Sequence, residues 1–252
     1  MEKTYQRPVS LYKSSSGYCP GCMHGVAQRL IAELLDEMSL RERAVGIMPV
    51  GCATLAYTYL NFDTIHAAHG RAPAVATGYK RSRPDSFVFT YQGDGDLAAI
   101  GLAEIIHAAN RGEKFSAVFI NNSIYGMTGG QMAPTTLVGQ KSTTAQGGRQ
   151  VEMSGYPIRM CELLSTLKAP VYVARFALNT PANILKAKKG IKKAFTLQLE
   201  NKGFAFVELL SNCPTNWGLS PEESLNWISE NMIPYYPLGE YKTPEGSESR
   251  GN

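Results

Sequence analysis

Two sets of residues in this chain have the types and the spacing of ligands. Gly93-Asp94-Gly95 is followed further on by Asn121-Asn122, and Cys19-Pro20-Gly21-Cys22 sets two thiols two residues apart. A carboxylate and an amide oxygen beside a helix N-terminus suit a hard divalent cation that bridges to phosphate oxygens. Two thiols at CxxC spacing can both face one soft metal centre, as in zinc and iron–sulfur sites. Two more thiols fall at strand ends: Cys52 after the strand-like Ala44 to Val50, and Cys213 after the strand-like Phe204 to Leu210. Cys161, within the amphipathic IRMCELLSTL, reads as a small core residue. Four thiols satisfy a zinc ion or a cubane cluster equally well, and spacing alone does not choose between them.

These ligands need a frame, and the chain supplies one. Phe87 to Tyr91 is short, apolar and bounded by a Pro-Asp turn and glycines, which predicts a buried strand. Leu97 to about Ala109 is rich in helix formers and apolar on nearly every face, which predicts a buried helix. Phe115 to Ile120 predicts a second strand, ending in the Asn pair. Strand, acidic turn, helix and strand in that order put Asp94 and Asn122 at the carboxyl ends of neighbouring parallel strands, where open α/β sheets bind ligands. The expected ligand is a metal with a diphosphate. The plainer alternative is an ordinary Asp-Gly turn and an Asn pair that merely ends a strand.

The rest of the chain repeats the α/β rhythm. His24 to about Leu40 carries apolar residues at helical spacing, with His24 either near the cysteines or capping the helix. A helical piece after Cys52, a short strand over Thr64 to Ala67, a strand over Pro170 to Phe176 and a helix capped by Thr180 follow. Lys186, Lys188, Lys189, Lys192 and Lys193 on that helix read as a solvated face. Ser123 to Gln150 is a long Gly- and Thr-rich stretch of the kind that forms binding loops. At 252 residues and 44% hydrophobic, the chain can bury one large core, expected as a parallel sheet flanked by helices over residues 1–234, with a tail over 235–252 that could dock a partner. A net charge of +4 leaves no nucleic-acid footprint, and no apolar run is long enough to cross a bilayer. With no signal-peptide pattern, the expected location is cytoplasmic, where five cysteines are better read as metal ligands than as disulfides.

The GDG segment followed by the Asn pair resembles the thiamine-diphosphate motif. Together with the four cysteines, His69-Gly70-Arg71-Ala72 and the IYGMTGGQ and PTT segments, it resembles the thiamine-diphosphate-binding (beta-type) subunit of 2-oxoacid:ferredoxin oxidoreductases. The resemblance runs from Cys19 to about Pro237. It implies a thiamine-diphosphate-binding fold in which Gly93, Asp94, Gly95, Asn122, Ile124, Tyr125 and Gly126 hold the cofactor. Magnesium would be ligated by Asp94, Asn122 and the Ile124 carbonyl, and one four-iron four-sulfur cluster by Cys19, Cys22, Cys52 and Cys213. His69, Arg71 and Thr128 become candidates for contact with the reacting groups. The implied reaction is coenzyme A-dependent oxidative decarboxylation of a 2-oxoacid to acyl-CoA and carbon dioxide, with electrons leaving through the cluster to ferredoxin. Implied partners are a pyrimidine-domain subunit that supplies the activating glutamate and a further iron–sulfur subunit, in a hetero-oligomer. The stretch CPTNWGLSPEES and Tyr235 to Gly239 look most like the branched-chain (2-oxoisovalerate) members. The other readings are 2-oxoglutarate or pyruvate as substrate, a non-redox decarboxylase subunit, and a metal-stabilised subunit without catalysis.

Overall fold

The structure, a computed structural model, describes residues 6–244. In chain order the elements are α1 (His24–Glu37), β1 (Ala44–Pro49), β2 (Asp63–Ala67), α2 (Ala72–Ser82), β3 (Phe87–Gly93), α3 (Leu102–Asn110) and β4 (Ser116–Asn121). A small hairpin, β5 (Ile124–Tyr125) and β6 (Gln131–Met132), leads to α4 (Val151–Ser154), α5 (Met160–Ser165), β7 (Tyr172–Ala177) and α6 (Pro181–Leu199). The chain continues through β8 (Ala205–Leu210), α7 (Pro214–Trp217), α8 (Pro221–Trp227), α9 (Ile233–Tyr235) and β9 (Gly239–Lys242).

Seven strands make one sheet in the order β2-β1-β3-β4-β8-β7-β9, parallel except for β9, which runs antiparallel to β7. Strands β1, β4 and β8 are buried along their whole length, as expected of a parallel sheet covered on both faces. One face packs Leu30 and Leu34 of α1 and Ile191 and Phe195 of α6 against Phe87, Phe89 and Val207. The other packs Ala76 of α2, Ile105 of α3 and Leu164 of α5 against Val88, Phe119 and Phe206. Cys161 lies fully buried in this second core, the role its sequence context predicts.

Several elements differ from expectation for identifiable reasons. The helix foreseen from Leu97 is in two parts, a π-helical turn over Gly95–Ile100 and then α3, because Gly101 N–H bonds back to Asp96 O and resets the ladder. The lysine face of α6 is largely paired: Lys188 reaches Glu33 and Glu37 of α1, Lys192 reaches Glu37, and Lys193 reaches Glu240. The tail does not stand apart from the domain as far as Lys242, since β9 edges the sheet and the buried Tyr236 donates to Thr135 O at 2.7 Å. Residues 245–252 lie outside the described residues. Among the described residues, no helix is long and apolar enough to cross a membrane.

The long stretch after β4 has little regular structure yet is closely held. Arg149, 5% exposed, donates through Nη1 to the carbonyls of Ala133, Pro134 and Thr136, and through Nε and Nη2 to those of Ser154, Gly155 and Tyr156. One guanidinium thus reaches six backbone acceptors, of which, among the described residues, only those of Ala133 and Pro134 also take a backbone N–H, from Thr136 and Ile158.

Candidate active site

The register of β3 on β4 pairs Gly93 with Ile120, so Asp94, one residue on, and Asn122, two residues on, both fall at the carboxyl edge of the sheet, where they line one cleft. Asp94 is 2% exposed and Asn122 6%. Asp94 Oδ1 accepts from Gly95 N at 2.8 Å; Oδ2 accepts from Ile124 N at 3.2 Å and from Thr135 Oγ1 at 2.7 Å. Burial pushes the Asp94 carboxyl up to about 6 despite these donors, so a cation beside it would be strongly favoured. The first residue of the Asn pair turns away from this edge, and its Nδ2 donates to Glu208 Oε1 on β8: Asn121 and Glu208 lie 2.8 Å apart. Glu208 in turn accepts from the fully buried Arg175 on β7 at 2.9 Å, and Arg175 also forks onto Glu162 of α5.

A cleft opens at this edge, with walls from Asp94, Asn122, Ile124, Tyr125, Thr128 and His69. Gly51 and Gly93 also face it, and a Cβ on either would meet nothing within 4 Å, so bare backbone is presented to the cleft where side chains would otherwise fill it. Gly95 is required for a different reason: a Cβ there would fall 2.1 Å from the Tyr125 ring, whose hydroxyl donates to Gly95 O at 3.1 Å. His69 Nδ1 meets Asp96 Oδ1 at 2.5 Å, and the same carboxylate accepts from Gly70 N and from Gln92 Nε2. Gly70 makes this approach possible, because its φ of +77° and backbone contact with Gly101 leave no room for a side chain. Thr128 Oγ1 donates to Gln131 Oε1 at 2.6 Å from the cleft rim.

Arg71, foreseen beside the reacting groups, is not part of the cleft wall; its guanidinium pairs with Glu104 of α3. His24 neither caps α1 nor faces solvent. It lies buried against the cleft, its Nδ1 2.6 Å from Tyr91 Oη and its ring stacked on Tyr18, and burial lowers its pKa to about 4.

The cysteines foreseen as cluster ligands gather at one end of the cleft. A Cβ on Gly126 would lie 3.3 Å from Cys52 Sγ, 3.5 Å from Cys213 Sγ and 3.9 Å from Asn122 Nδ2. Asn212, just before Cys213, staples the CxxC turn alongside: its Nδ2 donates to Gly21 O and its Oδ1 accepts from Met23 N, both at 3.0 Å. Burial pushes the Cys22 and Cys52 thiols up to about 12, with the charges of neighbouring cysteines opposing ionisation further. Cys213 is raised by burial as well, although Asn216 works against it. Without a cation such thiols keep their protons; a metal centre displaces them. Among the described residues, no three His, Cys, Asp or Glu side chains close on a point where a single ion could sit.

Residues 49–209 match the family described as thiamine pyrophosphate enzyme, C-terminal TPP binding domain. A 2-oxoglutarate synthase subunit KorB from Methanocaldococcus jannaschii is 38% identical over 223 residues, 86% of this chain and 78% of that one. The chain belongs to the thiamine-diphosphate-binding subunits of the 2-oxoacid oxidoreductases. A ketoisovalerate oxidoreductase subunit VorA from Methanothermobacter marburgensis is 48% identical over 242 residues, 96% of this chain. The chain spans about half the length of that relative, 51%. The fold is shared with the 2-oxoglutarate:ferredoxin oxidoreductase from Magnetococcus marinus solved with 2-oxoglutarate, coenzyme A and succinyl-CoA bound, at a TM-score of 0.78 and 24% identity, over 97% of this chain and 87% of that one. The cleft of bare glycine backbone and oxygen donors beside Asp94 falls within the matched residues.

Within the family site, the sequence leaves Thr135, Asp96, Asn212 and Asn216 without individual roles. Their partners lie 41, 27, 191 and 90 residues away, respectively, beyond the reach of any local pattern. The PTT segment, already distinctive in the sequence, contains Thr135.

Proposed function

We propose that this chain is the thiamine-diphosphate and iron–sulfur subunit of a 2-oxoacid:ferredoxin oxidoreductase, acting on 2-oxoisovalerate or a similar branched-chain 2-oxoacid. The observation that carries the reading is Gly126: a Cβ at that one point would lie within 4 Å of Asn122 Nδ2 and of the sulfurs of Cys52 and Cys213 alike. The Asn122 amide and two of the four thiols thus meet at a single residue of the cleft wall. The 48% identity to ketoisovalerate oxidoreductase subunits supports the branched-chain substrate over 2-oxoglutarate and pyruvate.

The donor set fits the cofactors. Asp94, Asn122 and the Ile124 carbonyl offer only oxygen to a cation, as magnesium prefers, and Gly93 leaves room for diphosphate oxygens. Thiamine diphosphate supplies the electron sink for decarboxylation when bound. Cys19, Cys22, Cys52 and Cys213 would hold the cluster. With Nδ1 engaged by Asp96, His69 has Nε2 left for the cleft, where it can hold or pass a proton. Tyr125 and Thr128 line the rim.

The acyl acceptor is coenzyme A, and the electrons pass to ferredoxin. A pyrimidine-domain subunit supplies the activating glutamate, and a further iron–sulfur subunit completes a cytoplasmic hetero-oligomer. The test is anaerobic purification of the complex and of the separated chain, analysed for iron, sulfide, magnesium and thiamine diphosphate. Each 2-oxoacid is then assayed with coenzyme A and a viologen dye. Asp94→Ala is expected to abolish turnover and leave the cluster spectrum intact; Cys213→Ser is expected to damage the cluster and dye reduction. Cofactor without iron would move the chain to the non-redox decarboxylases, and zinc without cofactor would sink the catalytic reading.

A further inference from the structure

Asn216 occupies a position that the cofactor assignment leaves unused. It lies on α7, directly after the Cys213-Pro214 step that ends the strand region, and its side-chain amide faces back toward the thiol quartet. Nδ2 is 2.9 Å from Gly126 O and 3.2 Å from Cys213 Sγ. A carbonyl oxygen only accepts, so Gly126 fixes the nitrogen on this side of the amide, and the second hydrogen is left for the sulfur. Gly130 secures the arrangement: it has φ of +85°, and a Cβ there would fall 3.1 Å from Asn216 Cβ and Oδ1, so the amide is packed against bare backbone. The Asn216 backbone N–H also bonds to Cys213, giving one sulfur two donors from one residue.

We infer that Asn216 sets the reduction potential of the cluster held by Cys213, and does so through a side chain that also grips the loop carrying Gly126. The inference rests on the iron–sulfur reading above. Reducing a cluster adds negative charge that is shared by its thiolate sulfurs, and an N–H donor stabilises that charge more in the reduced than in the oxidised state. The donor therefore raises the potential. Because the same nitrogen bonds to Gly126 O, and Gly126 abuts Asn122, a shift of the diphosphate-binding loop alters the hydrogen bond to sulfur.

The experiment is a potentiometric titration of the anaerobically purified full chain, followed by electron paramagnetic resonance of the reduced cluster, for wild type, Asn216→Leu and Asn216→Ala. Removing the side-chain donor is expected to shift the midpoint to more negative potential, by roughly a tenfold change in the one-electron equilibrium, or about 59 mV. Iron and sulfide content should stay at the wild-type value. An unchanged midpoint in both variants with full iron content would overturn the inference. So would loss of iron from both, since Asn216 would then hold the site together rather than tune it. Absence of iron from the wild-type chain would overturn the iron–sulfur reading and this inference with it, a result distinct from either of the others.

Discussion

Thr135 Oγ1 donates to Asp94 Oδ2 at 2.7 Å, with Thr135 fully buried and Asp94 at 2% exposure. The hydrogen bond fixes which lone pairs of the carboxylate remain for a cation, and Tyr236 fixes Thr135 in turn through its carbonyl. Thr135→Val keeps the shape and deletes the donor. Magnesium and thiamine diphosphate affinity should fall about 10- to 100-fold, the usual cost of losing a partner that orients a metal ligand. A calorimetric titration of the enzyme complex checks it, and unchanged affinity would show that Asp94 is oriented without Thr135.

Asn212 joins two distant cysteine segments through Gly21 O, Met23 N and Ser224 Oγ. Asn212→Ala frees the CxxC turn from the Cys213 segment, at a cost of about 0.5–1.5 kcal/mol for each hydrogen bond lost. The expected outcome is lower iron content per chain and faster loss of cluster absorbance in air. Iron analysis after anaerobic purification reads the first, and a timed absorbance decay the second.

Arg175 and Glu208 are both fully buried, and they face each other across the β7/β8 register. Arg175→Met should destabilise the fold by about 3–5 kcal/mol, because Glu208 is left charged and buried without its counterion. Replacing both with apolar residues should recover much of that loss. Denaturant melts of the single and double variants decide between this account and simple loss of packing, in which the double variant would be worse than the single.

Glu162 carries the pH dependence of the same cluster. Burial tends to raise its carboxyl, but the Arg175 fork outweighs burial and holds it below the ordinary value of 4.5. Its contribution is therefore complete above the unfolded-state value and is lost as pH falls through the lower folded-state one. Glu162→Gln should be less stable than wild type at neutral pH, and the gap should close in the acid range, as pH falls past the ordinary value of 4.5 and through the lowered folded-state one and the wild-type carboxylate is protonated. Melting temperatures across that range test the sign; a gap that widened toward acid would overturn it.

The frame of the site is legible in the sequence, because β3, the acidic turn and β4 each carry local signals and a parallel sheet leaves few ways to arrange them. The CxxC spacing and the two strand-end cysteines are legible for the same reason. Arg71 is not: whether its side chain turns to a ligand or to Glu104 depends on which helix packs beside it. For His24 the sequence leaves two places open, near the cysteines or at the helix cap, and packing against Tyr91 decides for the first. The lysines of α6 look solvated in isolation, and only the packing of α1 alongside α6 brings Glu33 and Glu37 to Lys188. The π-helical turn after Asp94 arises from Gly101 and from the long-range partners of Asp96, His69 and Gly70, for which the periodicity of apolar residues carries no trace.

Arg149 makes the irregular stretch beside the cleft behave as one body. Since its six acceptors lie in two segments, 133–136 and 154–156, neither can leave without releasing the other. The stretch is in effect a knot in which one side chain takes the most strands, with Thr135 and the Ile158 N–H as lesser ties. Lengthening the chain between the two segments would leave the knot intact as long as the added residues bulge outward, whereas one residue inserted within either segment would throw its carbonyls out of register with the guanidinium. Variation in loop length is thus confined by the reach of one arginine.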